Sequence, residues 1–170
     1  LDMGPYYLTA LLNFFGPIKR LSGAASIAVP QRTITSRPKS GKVIAVQTPD
    51  HVCGTIEFHS GVIGTIITTF ATWHPQYDQD HPITVYGTEG TLKVPDPNQF
   101  DGPVYIRLAN DPDWRQAPHT FQEGYGRSVG LADMAHALRS GRPMRASGEM
   151  GLAVLDAMQG LLDSAITGQG

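Results

Sequence analysis

Apolar residues open the chain at helical spacing. The predicted helix runs through Tyr6, Leu8, Leu11, Leu12 and Phe15, and the last four stand three and four apart, the period of one helix face. Asp2-Met3-Gly4-Pro5 reads as the start of that helix. Asp2 is placed to cap the free N–H groups of the first turn, and Pro5 fits a position whose donor is not needed. Gly16-Pro17 is a stop signal. The pattern then changes. Extended segments are predicted at 18–29, 43–47, 51–58, 62–73, 83–86, 91–94 and 104–108. The segment 62–73 is rich in Ile and Thr, which suit a pleated sheet. His59-Ser60-Gly61 and Gly87-Thr88-Glu89-Gly90 are hairpin turns, with glycine read as supplying positive φ.

Helical spacing returns near the end. Leu131, Met134, Ala135 and Leu138 give one apolar face on a helix that stops near Gly141. Leu152, Val154, Leu155, Met158, Leu161 and Leu162 give a broader face on the last helix, with Ser147 as its cap. Helix, many strands, then two helices is an α+β order. It predicts an open, mostly antiparallel sheet with the helices packed on one face.

Size and charge narrow the class. At 170 residues the chain is expected to form a single domain over 1–170, and 41% apolar residues is ordinary for a globular protein. The net charge of -2 and the lack of a like-charge block argue against a nucleic-acid partner. No apolar run approaches the roughly 18 residues of a membrane span, and no signal peptide is visible. Cys53 is alone, so a reducing, cytoplasmic setting is expected. Leu1 followed at once by a helix start reads as a chain whose upstream part lies outside it; cleavage of a tag is the alternative. The segment 30–41, with Arg32, Arg37 and Lys39 and, beside it, Lys42, reads as a solvated basic loop, with a phosphate or partner contact as the other reading.

Common catalytic signatures are absent: there is no GxGxxG, P-loop, HExxH or CxxC. Gly124-Tyr125-Gly126-Arg127 reads as a loop entering a helix. His74 and His81 flank Tyr77 and Asp78 at a spacing that matches no usual metal site, so no metal is expected. One pair carries possible chemistry. Asp2 and Tyr6 are four apart at a predicted helix N-terminus, whose dipole favours ionised groups. A carboxylate beside a phenol suits proton transfer at an alcohol oxygen. The plainer alternative is Asp2 as an ordinary cap and Tyr6 as a core aromatic.

The blocks Leu1-Asp2-Met3-Gly4-Pro5-Tyr6-Tyr7-Leu8, Tyr86-Gly87-Thr88-Glu89-Gly90-Thr91-Leu92, Gly130-Leu131-Ala132-Asp133-Met134-Ala135, Ser140-Gly141-Arg142-Pro143 and Ser164-Ala165-Ile166-Thr167-Gly168 together resemble the C-terminal domain of the Gfo/Idh/MocA oxidoreductases. The resemblance spans nearly the whole chain. It implies a substrate-binding and oligomerisation domain whose N-terminal Rossmann partner is absent from this sequence. It implies NAD or NADP in the intact enzyme, and none in this fragment, whose own activity is expected to be nil. Asp2 resembles the family's active-site aspartate, and Tyr6 stands where members carry a catalytic His or Tyr. Trp73, His74 and Tyr77 fall in a region that lies near a sugar-like substrate in the family, or form a surface loop. The sheet is expected to contact a second copy, giving a homo-oligomer. A non-enzymatic sheet-mediated dimerisation or binding module is the rival from another class.

Overall fold

A computed structural model describes residues 2–73, 80–120, 124 and 126–169. These fall into two compact units, residues 2–73 with 152–169 and residues 80–151. No helix among the described residues is long and apolar enough to cross a membrane.

The first unit begins with helix α1 (Gly4–Phe15) and strands β1 (Ile18–Ser26), β2 (Gln31–Thr33), β3 (Val43–Ala45), β4 (His51–Phe58) and β5 (Ile63–Thr69). Strands β1, β4 and β5 form one antiparallel sheet with β4 in the centre, and β2 pairs with β3 in a separate hairpin. Side chains alternate across the sheet. Leu21, Gly23, Gly54, Ile56, Phe58 and Ile66 share one face, and the core lies there: Ile56, Phe58 and Ile66 are buried together with Leu8 and Leu12 of α1. Phe15 packs its ring 5.3 Å from that of Phe58. The opposite face carries Arg20, Ser22, Thr55, Glu57, Ile63, Thr65 and Ile67.

The last helix, α3 (Gly148–Thr167), buries Val154, Ala157, Leu161 and Ser164, a helical stripe. It packs on the same sheet face as α1, in accord with the predicted α+β class with helices on one face. Its approach is unusually close. A Cβ at Gly23 would stand 2.6 Å from the Leu161 carbonyl oxygen, and one at Gly54 2.5 Å from the Leu161 side chain. Gly160 meets Leu21 in the same way at 3.2 Å. The contact is completed by Ser164, whose Oγ accepts the Gly23 N–H at 3.1 Å.

The second unit holds β6 (Ile83–Tyr86), β7 (Gly90–Val94), β8 (Val104–Leu108) and β9 (Arg115–Ala117) as an antiparallel meander in chain order, then α2 (Ser128–Ser140). Asp133 of α2 pairs with Arg142 and Arg145, which fixes the loop after the helix. Ser147 caps α3 through the Met150 N–H at 3.2 Å, as expected.

Several expectations are corrected. Residues 30–41 are not all loop, because β2 lies within them. The strand expected at 62–73 stops at Thr69, and β9 adds a strand too short and polar to show a period. Gly87 and Gly90 do not take positive φ. Gly90 is needed for a different reason: its Cβ would lie 2.5 Å from the Arg107 carbonyl oxygen on β8. Asp2 does not cap α1. The cap position belongs to Met3 and has no side-chain hydrogen bond, since Asp2 stands one residue too early for its carboxylate to serve as the cap. The predicted apolar face of α2 points outward, and Leu152 and Leu155 of α3 are also exposed.

The glycine seat yields a test. Gly23→Ala and Gly54→Ala should each lower stability by about 1–3 kcal/mol or more, because the Leu161 carbonyl beside Gly23 and the Ser22 carbonyl beside Gly54 are backbone atoms with no freedom to yield. Ser164→Ala should cost about 1–3 kcal/mol by orphaning the Gly23 N–H. Gly151→Ala, in open space on the same helix, should instead raise stability by about 0.5–1 kcal/mol. Denaturant melts of the four variants separate the cases; a neutral Gly23→Ala would show that the helix does not sit as described.

Candidate functional site

The N-terminus of α1 is fixed by packing. Gly4 sits against α3, where a Cβ would come 3.0 Å from the Met158 sulfur. Gly4, Leu8 and Leu12 line up four apart and are the buried positions of the helix. Tyr6 is two residues beyond Gly4, roughly 200° round the helix, and is exposed. Asp2 is exposed as well. Both plainer alternatives therefore fail: Tyr6 is not a core aromatic and Asp2 is not a cap. The helical i, i+4 argument also weakens, because α1 contains Tyr6 but not Asp2.

Trp73 lies four residues beyond β5 and is exposed. His74 and Tyr77 lie outside the described residues. The chain just before Trp73 is firmly held. Phe70 donates its N–H to the Asp50 carbonyl at 2.8 Å, and its own carbonyl accepts from the Arg32 guanidinium at 2.8 Å. Ala71 donates its N–H to Thr69 Oγ1 at 3.0 Å.

Arg32 and Asp50 form a centre that sequence reasoning missed. The Asp50 carboxylate is buried and accepts from the Ala28 N–H at 2.7 Å, the Val29 N–H at 3.2 Å and the Arg32 guanidinium at 2.8 Å. The sequence pattern alone places Arg32 among the cations of a solvated loop. Nothing local marks its partner, which lies eighteen positions away. The Arg32 guanidinium, then the Ala28 N–H, hold the Asp50 carboxyl below the usual carboxylate range, and burial opposes them without winning. The pair ties the β2–β3 hairpin to the end of β5, and so to the chain that leads into Trp73. On the outer sheet face Glu57 is held low in the same manner by Lys19 at 2.6 Å and Arg20 at 2.9 Å.

Among the described residues no cluster of three His, Cys, Asp or Glu side chains could hold a metal. A dinucleotide is usually cradled by a glycine turn between a parallel strand and a helix. Every strand pair described is antiparallel, so none of the described strands forms such a turn.

Comparison with known proteins gives a consistent result. A family model described as the GFO/IDH/MocA C-terminal domain matches residues 1–93. No curated protein matches the chain. Among solved structures, levoglucosan dehydrogenase in its apo form is similar with a TM-score of 0.76 at 19% identity, over 99% of this chain and 49% of that one. The same enzyme in complex with NADH and L-sorbose gives 0.72 at 19% identity, over 99% and 48%. An NAD-binding oxidoreductase from Klebsiella pneumoniae gives 0.76 at 19%, over 99% and 48%. At such identities the likeness is one of fold. The chain spans about half the length of these structures.

The Arg32–Asp50 centre predicts acid sensitivity with a definite sign. Its folded carboxyl value is depressed, so its stabilisation is present above the ordinary carboxylate value and is lost as pH falls through the lower folded one. Asp50→Asn should be less stable than the parent at neutral pH, with the gap closing in acid. Thermal melts from pH 7 down to about 2.5 check it; a gap that stays constant would mean Asp50 does not ionise with this pairing.

Proposed function

The chain belongs to the Gfo/Idh/MocA family as its C-terminal domain, and we propose that it is the substrate-side half of an NAD(P)-dependent dehydrogenase acting on a secondary alcohol of a sugar or cyclitol. One observation carries the reading. The first turn of α1 packs on α3 through Gly4 and Met158, and this leaves Tyr6 facing away from the core. A proton-transfer residue must be well placed yet open to a substrate hydroxyl, and an exposed Tyr6 on a packed helix supports that role. The likeness to levoglucosan dehydrogenase, bound in one structure to NADH and L-sorbose, supports the substrate class and the nicotinamide.

In this reading the cofactor is held by the other half of the enzyme, and it supplies the hydride chemistry there. This chain's part is to bind, orient and move a proton. The Tyr6 hydroxyl exchanges the proton of the substrate alcohol. Asp2, at the mouth of the same turn, holds a substrate hydroxyl. Trp73 offers an aromatic face to the sugar, with His74 and Tyr77 of the next residues as polar partners. The fragment alone is inactive, all of 1–170 acts as one C-terminal half, and a cytoplasmic setting suits its single thiol.

A second reading is favoured by the outer sheet face. Ile63 is 75% and Ile67 69% exposed, and they flank Thr65 on the strand at the sheet edge. Such a face suits burial against a second copy about a two-fold axis, as a dimerisation module with or without catalysis. Ile63→Lys with Ile67→Lys should then convert a dimer into a monomer by light scattering. A parent that is monomeric at high concentration would sink this part.

The catalytic claim is tested in the intact enzyme. Tyr6→Phe removes only a hydroxyl and should lower turnover by about 10²–10⁴ while leaving cofactor affinity within a few-fold. Steady-state kinetics with dinucleotide titration would decide; near-normal turnover on the true sugar would rule Tyr6 out.

A further inference from the structure

Helix α2 is amphipathic with its faces reversed. Its buried side chain is Ala137, and on the same side Asp133, four residues earlier, reaches Arg142 and Arg145. Leu131 and Leu138, seven apart, stand one above the other and are 70% and 74% exposed. Met134 lies between them at 41%. At roughly 100° per residue, the Leu131–Leu138 line runs about 130° round the helix from the Asp133–Ala137 line. The helix thus turns a short polar and small face inward and its leucines outward. A thirteen-residue helix with one buried side chain draws little stability from packing, and isolated helices of that length are marginal in water. Exposed leucines in register, on a helix that has so little else, mark a surface waiting for a partner.

Two facts choose the partner. The stripe is narrow: three side chains over two turns, about 10 Å of helix. A free second copy needs roughly 1,200 Å² or more of total buried area for a stable complex. A body joined to the same chain needs far less, because the linkage sets a high effective concentration. The solved structures of the same fold also carry as much chain again beyond the part this protein matches. We infer that the Leu131–Met134–Leu138 stripe of α2 is a docking seat for the dinucleotide-binding half of the intact enzyme. This rests on the preceding reading that such a half exists.

The test compares amide hydrogen exchange of the 170-residue chain with that of the intact enzyme, alongside an intact Leu131→Gln, Leu138→Gln variant. Both leucines are exposed in this chain and glutamine is a good helix former, so the substitutions leave the domain's own packing alone. Peptides covering 128–140 should exchange at least tenfold more slowly in the intact enzyme than in the chain alone, and the double variant should lose most of that protection. Equal exchange in the two proteins overturns the inference. So does protection in the chain alone that rises with its concentration, which would assign the stripe to a second copy. Dehydrogenase activity is measured on the same intact protein. An active enzyme with unprotected α2 sinks the docking seat and spares the function. A protected α2 in a protein without activity does the reverse, and a gene encoding no dinucleotide-binding half sinks both.

Discussion

Helix α3 rests on bare backbone. Where it crosses β1 and β4 the sheet offers Gly23 and Gly54, and any side chain there would collide with Leu161. Removing two Cβ atoms lets the helix settle until Ser164 reaches the Gly23 N–H. Much of the first unit follows from this seat. The depth of α3 sets where Met158 stands, Met158 meets Gly4, and Gly4 fixes the start of α1. Tyr6 owes its outward position to glycines that lie far from it in the chain. A close-packed interior transmits such a constraint because it has few soft voids to absorb it.

A second fixed point is electrostatic. Asp50 is a buried charge made tolerable by one guanidinium and two backbone donors. A carboxylate so placed would be costly without them. Its partner Arg32 also holds the Phe70 carbonyl, so a single cation joins a hairpin base to a strand end. The glycine seat orders the helices, and this pair orders the loops beside the sheet edge. The chain that runs on to Trp73 starts from a well-held point even though Trp73 itself is open to solvent.

The apolar residues left outside are as informative as those within. On the outer sheet face exposed isoleucines alternate with threonine along the edge strand β5. On α2 the leucines form a short line on a convex helix, suited to a shallow groove in a tethered body. These exposed side chains are the ones that the proposed second copy and the proposed dinucleotide-binding half would cover.

The sequence by itself determined the elements with strong periods or strong punctuation. The first helix and its stop at Gly16, the hairpin of β4 and β5, the turn at 87–90 and the Ser147 cap are written in neighbouring residues, because caps, turns and alternation are local physics. The blocks around Asp2 to Leu8 and Tyr86 to Leu92 carried the family, which the match over residues 1–93 bears out. Tertiary structure decided what periodicity leaves open. An amphipathic pattern tells that Leu131 and Leu138 share a face but not whether that face meets the protein's own core, and here it does not. Glycine at 90 looks the same in sequence whether it serves positive φ or a close strand, and only the distance to β8 tells them apart. Arg32 and Asp50 are legible as charges, yet their pairing joins a strand and a bend that meet only after folding, when burial has made each need the other.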